Sequence, residues 1–129
     1  MSLDTERIII TIINDQLDVF KGLCRGIPSI PSTVLKTIIS KSRLLFLEHL
    51  YQVGMLDKLY AMRCACKQGN YYAVELLLAY GAPLHNLYFY NACEGGNMDI
   101  IKLFKNKGTM KDCLEHPIAI YLCPFAAAV

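Results

Sequence analysis

Between Leu56 and Gly108, apolar side chains recur at spacings of three and four residues and are interrupted at regular intervals by glycine and asparagine. Leu56, Leu59, Tyr60, Arg63 and Cys64 through Ala65 make one helical stripe, which Gly69 ends. Val74, Leu77 and Leu78 make a second after Asn70. Spacings of three and four place side chains on one face of an α-helix, so each stripe predicts an amphipathic helix. Glycine supplies the left-handed backbone that closes a helix, and asparagine accepts the orphan N–H groups that open the next. Gly69-Asn70 and Gly95-Gly96-Asn97 are therefore read as tight turns between antiparallel helices. Gly54, Gly81 and Gly108 end the second helix of each pair, and Pro28, Pro31 and Pro83 punctuate the stretches between pairs. No segment alternates with period two for long enough to require a strand.

The stripes repeat. Residues from Ala65 to Gly81 align without gaps on Ala92 to Gly108, at an offset of 27, with Ala, Cys, Gly, Asn, one Leu and the closing Gly identical. One period earlier, Leu47 falls under Val74, Leu50 under Leu77 and Gly54 under Gly81. Leu17-Asp18-Val19-Phe20-Lys21 matches Met98-Asp99-Ile100-Ile101-Lys102 at three periods. This first unit closes imperfectly, since Gly26 comes one residue early and Gly22 takes an otherwise apolar position. A fixed period of this length is the signature of a repeat architecture. The pattern predicts an all-α chain, a short α-solenoid of about four helix pairs near 5–27, 31–54, 55–82 and 83–108. An apolar C-terminal helix in 109–129 would cap it, the whole forming a single domain over 1–129.

The run Ala-small-x-x-Gly-Asn-x-Asp-Ile-Ile-x-Leu-Phe-x-x-x-Gly at Ala92 to Gly108 resembles the helix-turn-helix core of an ankyrin repeat, and Ala65 to Ala82 resembles it as closely. Ankyrin repeats have a period of about 33 residues, so about six residues of the β-turn finger and first helix are missing here. Pro83-Leu84-His85 is a displaced echo of the Thr-Pro-Leu-His signature. Short, finger-poor units rich in Ile, Tyr, Cys and Asn are similar to the multigene-family proteins of African swine fever virus and, more loosely, to ankyrin proteins of other large DNA viruses. The likeness covers roughly residues 13 to 108. It implies a non-enzymatic protein–protein interaction module, a viral factor that binds host proteins in the host-cell cytoplasm to modulate antiviral responses.

Composition narrows the alternatives. A chain of 129 residues suits one modest core. With 54% hydrophobic and 19% charged residues, disorder is excluded. Thirteen basic against eleven acidic residues leave a net charge of +2, no electrostatic footprint for nucleic acid. Lys102, Lys105, Lys107 and Lys111 are read as a solvated helix end that complements the C-terminal dipole. No apolar run approaches the roughly 20 residues of a membrane-spanning helix. The stretch Met1 to Ile13 lacks the basic region and cleavage site of a signal peptide, which predicts a cytoplasmic location. The six cysteines are accordingly expected to be reduced and mostly buried. Cys64 and Cys66 on a helix would point about 200° apart, unsuited to chelating one metal. No metal or cofactor is expected.

Candidate chemistry is sparse. His49 lies in a stripe with Leu45, Phe46, Leu50 and Val53 and is read as a half-buried helix residue. Gly95-Gly96-Asn97 lacks the strand and Lys-Ser/Thr of a phosphate loop. Cys113 and His116 could share a helical face, the one arrangement open to a Cys/His enzyme. Eight tyrosines and no tryptophan direct attention to a binding surface. Tyr71, Tyr88 and Tyr90, with His85 and Asn86 in the adjoining inter-unit stretch, are the partner-binding candidates, whereas Tyr72 and Tyr80 are expected to bury their rings. The uncharged segment from Pro117 to Val129 either caps the last pair, touches a membrane or joins two chains. Joining would place Ile118, Ile120, Leu122 and Phe125 at an oligomer interface and make the chain an oligomerisation module, the alternative function.

Overall fold

The structure, a computed structural model, describes residues 3–82 and 86–106. Within these residues it contains eight α-helices and no strand, as the three-and-four spacing predicts. They are α1 (Leu3–Ile13), α2 (Leu17–Cys24), α3 (Ser32–Ser40), α4 (Leu44–Gln52), α5 (Lys58–Gln68), α6 (Tyr71–Ala79), α7 (Asn86–Gly95) and α8 (Met98–Asn106). The even-numbered helices start at Leu17, Leu44, Tyr71 and Met98, successive steps of 27 residues. None of the helices within the described residues is long and apolar enough to cross a membrane.

The chain divides into two compact units, Met1–Ala61 and Met62–Val129, with the division inside α5. In the first unit α1 packs on α2 and α3, α3 packs on α4, and α2 packs on α4. In the second, α7 and α6 both pack on α8. Within each unit, then, a helix meets both the other member of its pair and its counterpart in the neighbouring pair.

Burial follows the same interval. Ile8, Leu35, Met62 and Phe89 are buried, as are Thr11, Ile38, Ala65 and Ala92, and Ile12, Ile39, Cys66 and Cys93. These three columns sit at i, i+3 and i+4 of successive odd-numbered helices and form their inward stripe. On the even-numbered helices Phe20, Leu47, Val74 and Ile101 are each 0% exposed. Burying such a side chain contributes about 1.5–3 kcal/mol, so this column alone anchors four helices. Phe20 also meets Phe46 with ring centroids 4.7 Å apart and planes tilted by 45°, an aromatic pair worth about 1 kcal/mol beyond its area. Thr11, the polar member of its column, donates its hydroxyl to the Ile8 carbonyl at 2.6 Å, which satisfies it inside the core.

The turn after each odd-numbered helix carries a left-handed residue at the same interval: Asp15 (φ 57°), Ser42 (φ 54°), Gly69 (φ 69°) and Gly96 (φ 70°). The last two were legible as glycines. The first two were not, since short polar side chains tolerate this backbone and carry no distinctive signal.

Gly95 serves a purpose other than the expected turn. It is the last residue of α7, and a Cβ there would collide with the Cys66 carbonyl oxygen and lie 2.8 Å from that of Lys67. The ends of α5 and α7 thus meet backbone to backbone. Cys64 and Cys66, expected on opposite sides of α5, are both buried, at 7% and 0% exposure. Cys24, Cys64 and Cys66 are free thiols, whereas Cys93 is disulfide-bonded, so the expectation of reduced cysteines fails at Cys93.

Candidate functional site

The residues just before α4 and α8 connect neighbouring pairs. Arg43 precedes α4 and has no acceptor with which to cap it. Its guanidinium instead donates from Nε to the Ile12 carbonyl at 2.9 Å and from Nη2 to the Ile13 carbonyl at 3.0 Å. Those carbonyls lie at the end of α1, where a cation is well placed, although the Ile12 oxygen also accepts the Asp15 N–H. Asp15 lies 3.7 Å from the same guanidinium. Asn97, two periods later, performs both tasks. Its Oδ1 accepts from the N–H groups of Asp99 and Ile100, and its Nδ2 donates to the Gly69 carbonyl at 2.8 Å. These bonds hold the start of an even-numbered helix against the end of the odd-numbered helix of the preceding pair, α4 against α1 and α8 against α5.

In the second unit they set the spacing of α6 and α8, whose N-terminal turns carry the most exposed aromatic residue of the described chain. Tyr72 is 69% exposed, which overturns the expectation of a buried ring. Tyr71 is half-buried, with its ring centroid 5.9 Å from that of Tyr72 at 76°. Its phenol hydrogen-bonds Glu75 one turn along α6, and this bond, with burial and the charges of Glu75 and Asp99, holds the phenol above its usual range. Glu75 and Asp99 are both exposed. Two aromatic rings and two carboxylates thus share one surface, a combination that accepts a lysine or arginine by charge and by cation–π attraction.

Tyr88 is the opposite case. It is 3% exposed and belongs to the core side of α7, so it presents no surface to a partner. The repeat contains the missed signal: Tyr88 lies one period after Ala61 and two after Val34, both 0% exposed. Tyr72 lies in a column with Asp18, Leu45 and Asp99, all exposed. Tyr90 is half-buried, as is Tyr80. Asn86 opens α7. His85, the Cys113/His116 pair and the interface candidates Ile118, Ile120, Leu122 and Phe125 lie outside the described residues. Within the described residues no group of three or more His, Cys, Asp or Glu side chains is placed to hold a metal.

Comparison with known proteins returns no match: no family model, no curated protein and no solved structure aligns significantly with this chain.

Proposed function

We propose that this protein is a non-enzymatic interaction module, a short α-solenoid of four ankyrin-like helix pairs that acts by covering a partner's surface. The observation that carries the reading is the pairing of the highly exposed Tyr72 with Tyr71, flanked by Glu75 and Asp99. Large amphipathic rings exposed on helices that the core holds rigidly are the usual anchors of a protein–protein contact. The 27-residue steps between helix starts and the packing of each helix on its counterpart within a unit support the solenoid. The resemblance to ankyrin proteins of large DNA viruses points to host proteins as partners, met in the host-cell cytoplasm. The carboxylates make a basic segment the partner chemistry that fits.

The test is quantitative affinity capture from host-cell lysate, comparing the wild-type chain with Tyr72→Ala and Glu75→Lys variants of unchanged far-UV circular dichroism. The expected result is one or a few proteins lost from both variants and retained by Leu45→Ala, a surface change at the equivalent position of α4. Identical capture by all four chains would overturn the assignment of this face.

A further inference from the structure

A pocket of about 330 Å³ opens within the first unit, beside the C-terminal ends of α2 and α4. Its ionisable lining is Lys21 from α2, Arg25 just after the end of α2 and His49 from α4, with the Cys24 thiol beside them, and among the described residues no carboxylate lines it. Lys21 and Arg25 are four residues apart and so share one face of the helical turn. Like charges at that spacing repel by a few tenths of a kcal/mol, and neither forms an ion pair among the described residues. Complementing the α2 dipole explains one such cation at a helix end. It does not explain why the half-buried imidazole of a second helix converges on the same pocket. That imidazole is held below its usual pKa by burial first, then by Lys21 and Arg25. Its ring centroid lies 6.1 Å from that of Phe20, with the two planes at 75°.

The remaining walls are Ile27, Pro28, Val53 and Met55, all apolar. Low-dielectric walls strengthen the field of Lys21 and Arg25, beside which the neutral His49 imidazole can donate a hydrogen bond, and the volume lies at the small end of organic-ligand pockets. We propose that this pocket is a binding site for a compact organic anion, a phosphate or carboxylate borne on an apolar stem. Lys21, Arg25 and His49 surround the anionic group, and Ile27, Pro28, Val53 and Met55 surround the stem. The same chemistry is offered by a free small molecule and by a modified side chain of a peptide. The site is independent of the tyrosine face.

The test is a nuclear magnetic resonance titration of the full chain at low salt, following the His49 ring and the Met55 methyl. Phenyl phosphate and benzoate are expected to shift both signals saturably and to raise the His49 pKa. Inorganic phosphate, which lacks the stem, binds more weakly, and phenol, which lacks the charge, does not bind. Lys21→Gln and Arg25→Gln each weaken phenyl phosphate about tenfold, equivalent to about 1.4 kcal/mol. Val53→Glu, a change at an exposed wall, abolishes binding with helical content unchanged. A phosphotyrosine-bearing tripeptide distinguishes the source: binding as tight as phenyl phosphate assigns a protein side chain, and exclusion assigns a free small molecule. Absence of any saturable shift, or undiminished wild-type affinity in both glutamine variants, would overturn the proposal.

Discussion

Asn97 donates its side-chain amide to the carbonyl of Gly69 at 2.8 Å, across 28 residues of sequence, while its oxygen caps α8. A single side chain therefore begins one helix and holds the end of another. Arg43 does the second of these tasks for α1, through Ile12 and Ile13. The asparagine is distinguished by having donor and acceptor on one planar group.

Substitution separates the two tasks. Serine caps a helix as well as asparagine but has no amide to reach Gly69. Asn97→Ser is expected to cost about 1 kcal/mol and Asn97→Ala about 2 kcal/mol in urea unfolding. If Asn97→Ser unfolds at the wild-type midpoint, the bond to Gly69 contributes nothing to stability.

Gly95 and Gly22 are both helical glycines and predict opposite outcomes. A methyl group at Gly95 meets backbone oxygen of Cys66 and Lys67, which cannot move aside, so Gly95→Ala should destabilise by more than 2 kcal/mol. At Gly22 nothing lies within 4 Å of the added Cβ, so Gly22→Ala should stabilise by about 0.5–1 kcal/mol. Thermal midpoints of the two variants on opposite sides of the wild type would bear this out.

Gly54 isolates the backbone term. Its φ is +76° and an added Cβ would meet nothing within 4 Å, so Gly54→Ala is penalised by conformation alone. The expected loss is about 1 kcal/mol. Gly54→Asn should lose less than half as much, since asparagine tolerates left-handed backbone as Asp15 and Ser42 do at their turns. Equal losses in the two variants would show that the penalty has another source.

His49 makes stability depend on pH. Its pKa is lowered in the folded chain by burial, Lys21 and Arg25, so the unfolded chain binds the proton more readily. Its contribution is complete above the unfolded value of about 6.5 and is lost as pH falls through the folded value. Between pH 7.5 and pH 5 the wild type should therefore lose more stability than His49→Gln, as read from urea midpoints. Parallel loss in the two chains would remove His49 as the cause.

The stripe of Val74 and Leu77 was legible and is buried, as are Leu47 and Leu50 one period earlier, whereas Leu59, expected in the stripe before Gly69, is 55% exposed and the inward face of that helix is Met62, Ala65 and Cys66. The tyrosines were misjudged because residue type outweighed position: Tyr88 occupies a column otherwise filled by Val34 and Ala61, and Tyr72 one shared with Asp18 and Asp99. The convergence of Lys21, Arg25 and His49 carried no comparable signal, because their separation along the chain says nothing about the distance between α2 and α4.

The sequence by itself determined that the described residues are helical, that turns fall at Gly69 and Gly96 and that a 27-residue interval recurs, since spacing and the chemistry of Gly and Asn are local properties. Tertiary structure alone decided that Gly95 makes room for the backbone of α5, that Arg43 and Asn97 hold neighbouring pairs together, and that three basic groups share a pocket. Those outcomes depend on distances between helices, which the packing of side chains sets and no local pattern encodes.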